Sequence, residues 1–506
     1  MFAYQPLDTS SAPTGFAPSE TSSLGGPPRM QTHRPQKRLI FQAFGLCMIW
    51  LCAASTAAAS TLCRLPDYDP AKTPPKHAPN VLLIAVDTLR ADHLQLYGHG
   101  RATSKNLDAL AADSWIFEKA ISPAPWTTPS FAGILTGRHP GALGISDKPT
   151  PLPSEVSTLA ESLQDMGYAT AGLVSHYYVG EKFGFHRGFD AWDQRYAGGH
   201  NRVSSEGIQR MAKACFSNFA RAKRPFFLFT HFFDPHYDYL EHRGFKFGEP
   251  YNGEITSRGN NFERLRAIAK AGRLTPDDRR HLTDRYDSEI AYTDSHIGLL
   301  LDELKKRGLY EDTLIVFLSD HGEMFGERNA RWIGHTRYLF DELVRVPLMI
   351  KLPKAKTPSQ ARPRMRGRVS GTVSLVNVFP TVMDVVSPHI RWKERSLIPD
   401  SQGRVQDEPV FTQTRRWRHV DAVYDGPWKL TVDQSSGRQL LYNLEKDPGE
   451  KNNVARDHPE QASKMGKALG SWLKELQSFA SRWAPTAEPV LTDEEIEALR
   501  SLGYIQ

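Results

Sequence analysis

The pattern of apolar and polar positions changes character at Asn80. From there a continuous apolar run, Val81–Val86, ends on Asp87. Comparable runs recur at Ala169–Val174, Pro225–Thr230, Thr313–Leu318 and Val346–Leu352. Runs that are apolar at every position, without alternation, are typical of strands buried on both faces of a parallel sheet. Helical spacing fills the intervals. Ser104 is placed to cap a helix holding Leu107, Leu110 and Ala111, and Val156–Met166 carries apolar residues at helical spacing. Thr275-Pro276 predicts a helix start, cap then proline in the first turn, and the helical stretch runs to about Lys306 before Gly308. Strands alternating with helices predict an α/β domain over 80–400, whose ligands should gather at the carboxyl ends of the strands.

Near Asp400 the texture shifts. Pro409–Gln413, His419–Tyr424, Trp428–Asp433 and Gln439–Tyr442 read as short strands, with turns at Asp425-Gly426 and Ser435–Gly437. A helix from about Pro459 to Phe479 follows. Residues 401–506 are therefore expected to form a small antiparallel sheet with a covering helix. A capping box, Thr492 with Glu495, opens a last short helix.

The amino-terminal part reads differently. Residues 1–38 are rich in Pro, Ser, Thr and Gly and are expected not to fold alone. They end in a basic cluster, Arg29, Arg34, Lys37 and Arg38, after which no charged residue occurs until Arg64. A bilayer core needs about 20 apolar residues as helix, so residues 39–63 are expected to be a membrane anchor or a cleaved signal segment. The preceding positive charge orients the remainder outward. The protein is thus expected to be exported, either anchored facing the periplasm or extracellular side or secreted. Residues 64–79 read as a linker.

Composition narrows the class. The chain is 40% hydrophobic and 24% charged, the balance of a soluble globular enzyme. Its formal charge of +6 is slight for 506 residues, and no basic stripe with interleaved aromatics occurs, which argues against nucleic acid as a partner. The four cysteines, Cys47, Cys52, Cys63 and Cys215, do not read as a disulfide framework or a zinc knuckle. Any metal must then rely on Asp, His and hydroxyl ligands.

Three segments carry candidate chemistry. Asp87 lies at the carboxyl end of the first apolar run. Ser319-Asp320-His321-Gly322-Glu323 leaves another run and offers a carboxylate and an imidazole from one rigid position, beside a glycine that permits close backbone approach. In Ser122–Pro140, Thr127 and Thr128 precede Pro129 and Ser130, where an apolar helical turn begins. A hydroxyl at a helix amino terminus sits in a positive field that favours an anionic substrate.

Together these segments resemble the alkaline-phosphatase superfamily, and specifically its sulfatase branch. The resemblance spans about Asn80 to Gln506. TTPSFAGILTGRHP stands in place of the sulfatase signature C-x-P-S-R with its trailing TGR; FLFTHFFDPHYDY, with Asp234, Pro235 and His236, is similar to the family's DPHxPY. SDHGE matches the second metal motif, and WIGHTRYLFDELVRVPLMI and LYNLEKDPGEKNNVA resemble later family segments. The fold this implies is a central, mostly parallel sheet flanked by helices with a small carboxyl-terminal subdomain.

The chain also departs from a sulfatase. Thr127 occupies the place of the cysteine that becomes formylglycine, and threonine cannot undergo that conversion because its extra methyl would leave a ketone. Phe131 replaces the signature arginine, Thr88 the usual second aspartate of the first metal motif, and His335-Thr336 stands where a lysine is usual. Relatives with a threonine nucleophile act on phosphate esters. The resemblance therefore implies a divalent-metal site of Asp87, Thr127, Asp320 and His321, with zinc or manganese favoured over calcium or magnesium. His236 and His335 are candidates for catalysis and substrate binding, and Arg90 for substrate binding. Glu323 and Asp294 are expected to support the site or the fold. The expected activity is hydrolysis of phosphate-type esters, mono- or diester. Three other readings stand beside it: a sulfatase without formylglycine, a phospho-group transferase acting on envelope glycan or lipid, and an inactive metal-binding protein. The expected partners are a small-molecule, glycan or lipid ester, and the membrane if residues 39–63 remain attached.

Overall fold

The structure, a computed structural model, describes residues 63–499 apart from 67–68, 146, 199–203, 237–238, 241, 256–261, 329–330, 357–365, 388–391, 393–394, 484–486, 494 and 497–498. The expected leader and anchor segment, save Cys63, lie outside the described residues, as does the end of the last helix after Leu499. Among the described residues no helix is long and apolar enough to cross a membrane.

Chain order gives strands β1 (Asn80–Val86), β2 (Trp115–Ile121), β3 (Ala169–Leu173), β4 (Ala191–Asp193), β5 (Phe226–Phe232), β6 (Thr313–Ser319), β7 (Met324–Phe325), β8 (Ile333–Gly334), β9 (Arg345–Lys351) and β10 (Gly367–Ser374). Eight of them form one sheet in the order β10-β2-β9-β6-β1-β5-β3-β4. All neighbours in it run parallel except where β9 lies antiparallel between β2 and β6. The run Val346–Leu352 was expected as a parallel strand; it is buried as predicted but reversed. Burial on both faces makes a strand apolar whichever way it runs, so the pattern carries no direction. The pattern also hides β2, where Glu118 and Lys119 interrupt the apolar run, and β10, which closes one edge and is only partly buried.

Helices α1 (Lys105–Ala111), α2 (Thr127–Thr136), α3 (Leu159–Asp165), α4 (Ser205–Ala222), α5 (Phe262–Lys270), α6 (Pro276–Lys306), α7 (Asp341–Val344) and α8 (Val378–Val386) accompany the sheet. The capping box at Thr275 is present, with Thr275 Oγ1 accepting from Asp278 N and the Asp278 carboxylate accepting from Thr275 N. The cap expected of Ser104 is not. Ser104 makes no cap bond; Asp294 of α6 instead accepts from the amides of Asn106 and Leu107 at 2.9 and 2.8 Å. A carboxylate in a long, well-fixed helix serves the amino terminus of α1 and ties the two helices together.

Residues β11 (Val410–Thr414), β12 (Val420–Asp425), β13 (Trp428–Asp433) and β14 (Gln439–Asn443) form an antiparallel meander covered by α9 (Pro459–Ala480). One face packs Val423, Leu430 and Leu441 on Met465 and Leu469 of α9. The other packs Val420, Ala422 and Tyr424 on Ile121, Met324 and Leu343 of the α/β layer. The carboxyl-terminal sheet is therefore joined to the larger one through an apolar seam. Its first strand is clamped to two loops: Gln413 N donates to Pro123 O (3.1 Å), and Thr414 Oγ1 donates to Thr336 O (2.6 Å).

One further correction concerns cysteine. Cys63 and Cys215 are joined by a disulfide with 5.1 Å between their Cα atoms. The partners lie 152 residues apart, so only the tertiary fold reveals the pair.

Candidate functional site

The register of three neighbouring strands builds the site. Val86 of β1 lies opposite Ser319 of β6 and Phe232 of β5. The residues that follow, Asp87 and Asp320, therefore leave the sheet side by side at its carboxyl edge. Helix α2 starts at Thr127, after the extended Trp126 (φ −164°, ψ 160°), and brings its first hydroxyl to the same place. The predicted helical turn thus begins at Thr127 and not at Ser130. Ser130 Oγ donates to Asp320 O at 2.7 Å and fixes the helix to the acidic turn.

Asp87, Thr127, Asp320 and His321 are all fully buried. His321 Nε2 lies 3.3 Å from Thr127 Oγ1, 3.3 Å from Asp320 Oδ2 and 3.7 Å from Asp87 Oδ1. Its other nitrogen, Nδ1, is 3.0 Å from Gly322 O. A carbonyl only accepts, so Nδ1 carries the proton and Nε2 presents a lone pair to the cluster. Among the described residues, both oxygens of Asp87, and Asp320 Oδ2, find no hydrogen-bond donor. Burial, then the nearby Glu323, holds the Asp87 carboxyl well above its ordinary range; burial, then Asp87, does the same to Asp320. Burial followed by His335 holds His321 well below its usual value.

Lone pairs converging in a dry interior are costly unless a cation sits among them. The donor set fits a divalent metal, and the carboxylate and imidazole atoms of Asp87, Asp320 and His321 lie within 4.8 Å of one another. Thr88 helps shape the pocket. It adopts φ 52°, rare for a β-branched residue, and this turn lets its amide donate to Asp320 Oδ1 (3.3 Å) while its carbonyl accepts from Tyr286.

His236 and His335 both reach this region. Their rings meet edge to face at 5.1 Å, and His335 lies 4.5 Å from the His321 ring. Glu323 Oε1 is 3.1 Å from His335 Nδ1, so these two groups share one proton. Burial pushes Glu323 up to about 8. Arg90 goes elsewhere: its guanidinium bonds Asp92, Glu327 (2.6 Å) and the Glu323 carbonyl. It braces the acidic turn from behind, and the structure does not aim it into the cluster.

Two histidines were missed. His231 sits inside β5 with Nε2 at 3.4 Å from Asp87 Oδ2, and burial lowers it to about 3. His176, after β3, lies 5.7 Å from the His236 ring. A polar residue in the otherwise apolar FFLFTHF was the available signal for His231. Phe131, one turn into α2, packs its ring against Phe229 and His231 at 5.8 and 5.1 Å.

The centre lies at the carboxyl edge of a mostly parallel sheet, where α/β folds gather their ligands. The family model Sulfatase matches residues 79–388, and the chain belongs to the sulfatase family. It is a hydrolase acting on sulfuric or phosphoric esters, in a family whose members are metal-dependent. Among relatives, the choline-sulfatase of Rhizobium meliloti (strain 1021) is 27% identical over 441 residues, covering 75% of this chain and 83% of the relative. A solved enzyme bound to its substrate D-glucosamine-2-N, 6-O-disulfate superimposes with a TM-score of 0.65 at 20% identity, over 81% of this chain and 99% of that one. The phosphonate monoester hydrolase of Agrobacterium radiobacter gives 0.60 at 22% identity, over 80% and 96%.

Proposed function

We propose that the chain is an exported, metal-dependent hydrolase of phosphate-type esters that uses Thr127 as its nucleophile. The observation that carries this reading is the Thr127 hydroxyl, 3.3 Å from His321 Nε2, the atom that also lies 3.3 Å from Asp320 Oδ2 and 3.7 Å from Asp87 Oδ1. Asp87, Asp320, His321 and the Thr127 oxygen would hold a divalent ion, zinc or manganese by the mix of carboxylate and imidazole, and that ion would lower the hydroxyl's pKa and offset negative charge.

Thr127 Oγ, its proton already passed to solvent, attacks phosphorus, the bond to the leaving oxygen breaks, and a phosphothreonine forms. His236, or His335 as its Nδ1 takes the proton it shares with Glu323, gives the departing alkoxide its proton. Water then attacks the phosphothreonine, the phosphorus–Oγ bond breaks, and the proton released by water returns to the histidine. The products are an alcohol and the phosphate acid, and Thr127 is restored. The amino terminus of α2 orients the anionic substrate throughout.

Hydrolysis of sulfate esters by the same hydroxyl is the second reading, and membership in the sulfatase family favours it. Export is supported by the disulfide, which persists in oxidising compartments. Because Cys63 belongs to the folded part, any membrane span or cleavage point lies before it.

The test is an activity panel on the full chain with a nitrophenyl phosphate, a phosphodiester, a phosphonate monoester and a sulfate, each with added Zn²⁺, Mn²⁺, Mg²⁺ or Ca²⁺ and after chelation. Turnover of a phosphorus ester is expected, lost on chelation and reduced by at least about a thousandfold in Thr127→Ala. Full activity in Thr127→Ala would sink the nucleophile assignment, and turnover of the sulfate alone would replace the phosphate reading by the second one.

A further inference from the structure

The turn between β11 and β12 reads Arg415-Arg416-Trp417-Arg418, and its three arginines do different things. Arg415 pairs with Asp421 at 2.6 Å and Arg418 with Asp433, both inside the carboxyl-terminal sheet. Arg416 turns the opposite way. It is buried, with its guanidinium carbon 4.9 Å over the ring of Trp126, the residue before Thr127. The strand leading to it is the one clamped to Pro123 and Thr336, and Thr336 N in turn donates to Pro125 O at 2.9 Å. The turn is thus held over the loops that carry Thr127 and His335.

A second guanidinium approaches from α5. Arg266 lies 5.2 Å over Trp332 and 5.1 Å over Trp417, and Trp417 also faces Arg416 at 5.6 Å. Trp417 is 45% exposed and adopts φ 64°, a left-handed conformation that strains a bulky residue. Such strain is retained where the surroundings demand that geometry. The Trp332 and Trp417 rings meet edge to face at 6.2 Å, so the two cations and the two indoles form one cluster against the Trp126–Thr127 turn. A guanidinium stacked on an aromatic face still presents its N–H groups in plane, toward a carboxylate or phosphate.

We propose that Arg266 and Arg416, with the exposed Trp417 against both, form a recognition wall beside the Thr127 centre for esters that carry a second acidic group on a ring. The arginines take the second charge and Trp417 takes the face of an aryl or pyranose ring. The wall rests on the reading of Thr127 as the ester-cleaving centre.

The test separates the wall from turnover by reading binding. Calorimetry of the metal-loaded full chain compares benzylphosphonate with 4-carboxybenzylphosphonate. The carboxylated ligand is expected to bind about tenfold more tightly or better, the value of one charge-assisted contact. Arg416→Gln and Arg266→Gln should each erase most of that ratio, Arg416→Lys should keep part of it, and Trp417→Ala should weaken both ligands together. Equal affinity for the two ligands, including no measurable binding of either, or a ratio left intact in the arginine variants, overturns the proposal. Failure of Thr127→Ala to lose activity would instead overturn the nucleophile and leave the binding ratio standing.

Discussion

Replacing Cys215 by serine should cost this protein a large share of its stability. The Cys63–Cys215 bond closes a loop of 152 residues, which contains β1 to β4, α1 to α3 and the Thr127 turn. In the chain-entropy account, a loop of that length removes about 5 kcal/mol of freedom from the unfolded state. Whole domains are stable by only about 5–15 kcal/mol. Cys215 is fully buried in α4, and Asn218 Nδ2 donates to Cys63 O at 2.8 Å, so the native state keeps a second, weaker tie when the bond is gone. The assay is urea unfolding followed by tryptophan fluorescence, on the oxidised wild type, the wild type under reductant, and Cys215→Ser. The reduced protein and the variant should share one midpoint, well below that of the oxidised protein. With m-values of about 1–3 kcal/mol per molar urea or more for a chain of this size, the shift is on the order of one molar or above. Coincident midpoints for all three would refute the reasoning, because they would mean the bond is absent or the unfolded chain is not restrained by it.

Two other outcomes follow from the geometry. Gly322→Ala should sharply lower activity and metal binding, since a Cβ there would meet the Glu342 carbonyl at 2.1 Å and force the Asp320–His321 turn to move; kinetics with metal analysis on the purified variant would show it, and a fully active, metal-loaded variant would contradict it. His139 is held neutral down to about 3 by burial and then by Arg415, below its ordinary 6.5. Its contribution is therefore complete above pH 6.5 and is lost as pH falls toward 3, at up to about 1.4 kcal/mol per pH unit. Urea midpoints across that range should fall less steeply for His139→Asn, which retains an acceptor for Gly141 N, than for the wild type.

The sequence made the reactive core readable because each part of it is local. Asp87 and Asp320-His321 end apolar runs, and parallel neighbours place such ends together. Thr127 was legible as a hydroxyl beside a helix start, although that start was read three residues late, at Ser130. His231 was not, because a strand period does not say which polar residue faces the site. Arg416 and Arg266 were silent for another reason: an arginine in a turn or on an amphipathic helix reads as surface, and only the clamps on β11 show that Arg416 faces inward. Arg90 shows the converse, since proximity in sequence to Asp87 suggested a shared task, while Asp92 and Glu327 claim it. The direction of β9 and the pairing of Cys63 with Cys215 are tertiary facts that no local pattern encodes.

The clamp between β11 and the catalytic loops also sets when the protein can work. Pro123 and Thr336 are held by Gln413 and Thr414, so the turn that presents Thr127 receives its last braces only after residue 414 of 506 has been synthesised. A nascent or truncated chain that holds all of the α/β layer still lacks those braces. The hydrolase should therefore stay latent during synthesis and while unfolded, and its activity should arise in one step when the last strands dock.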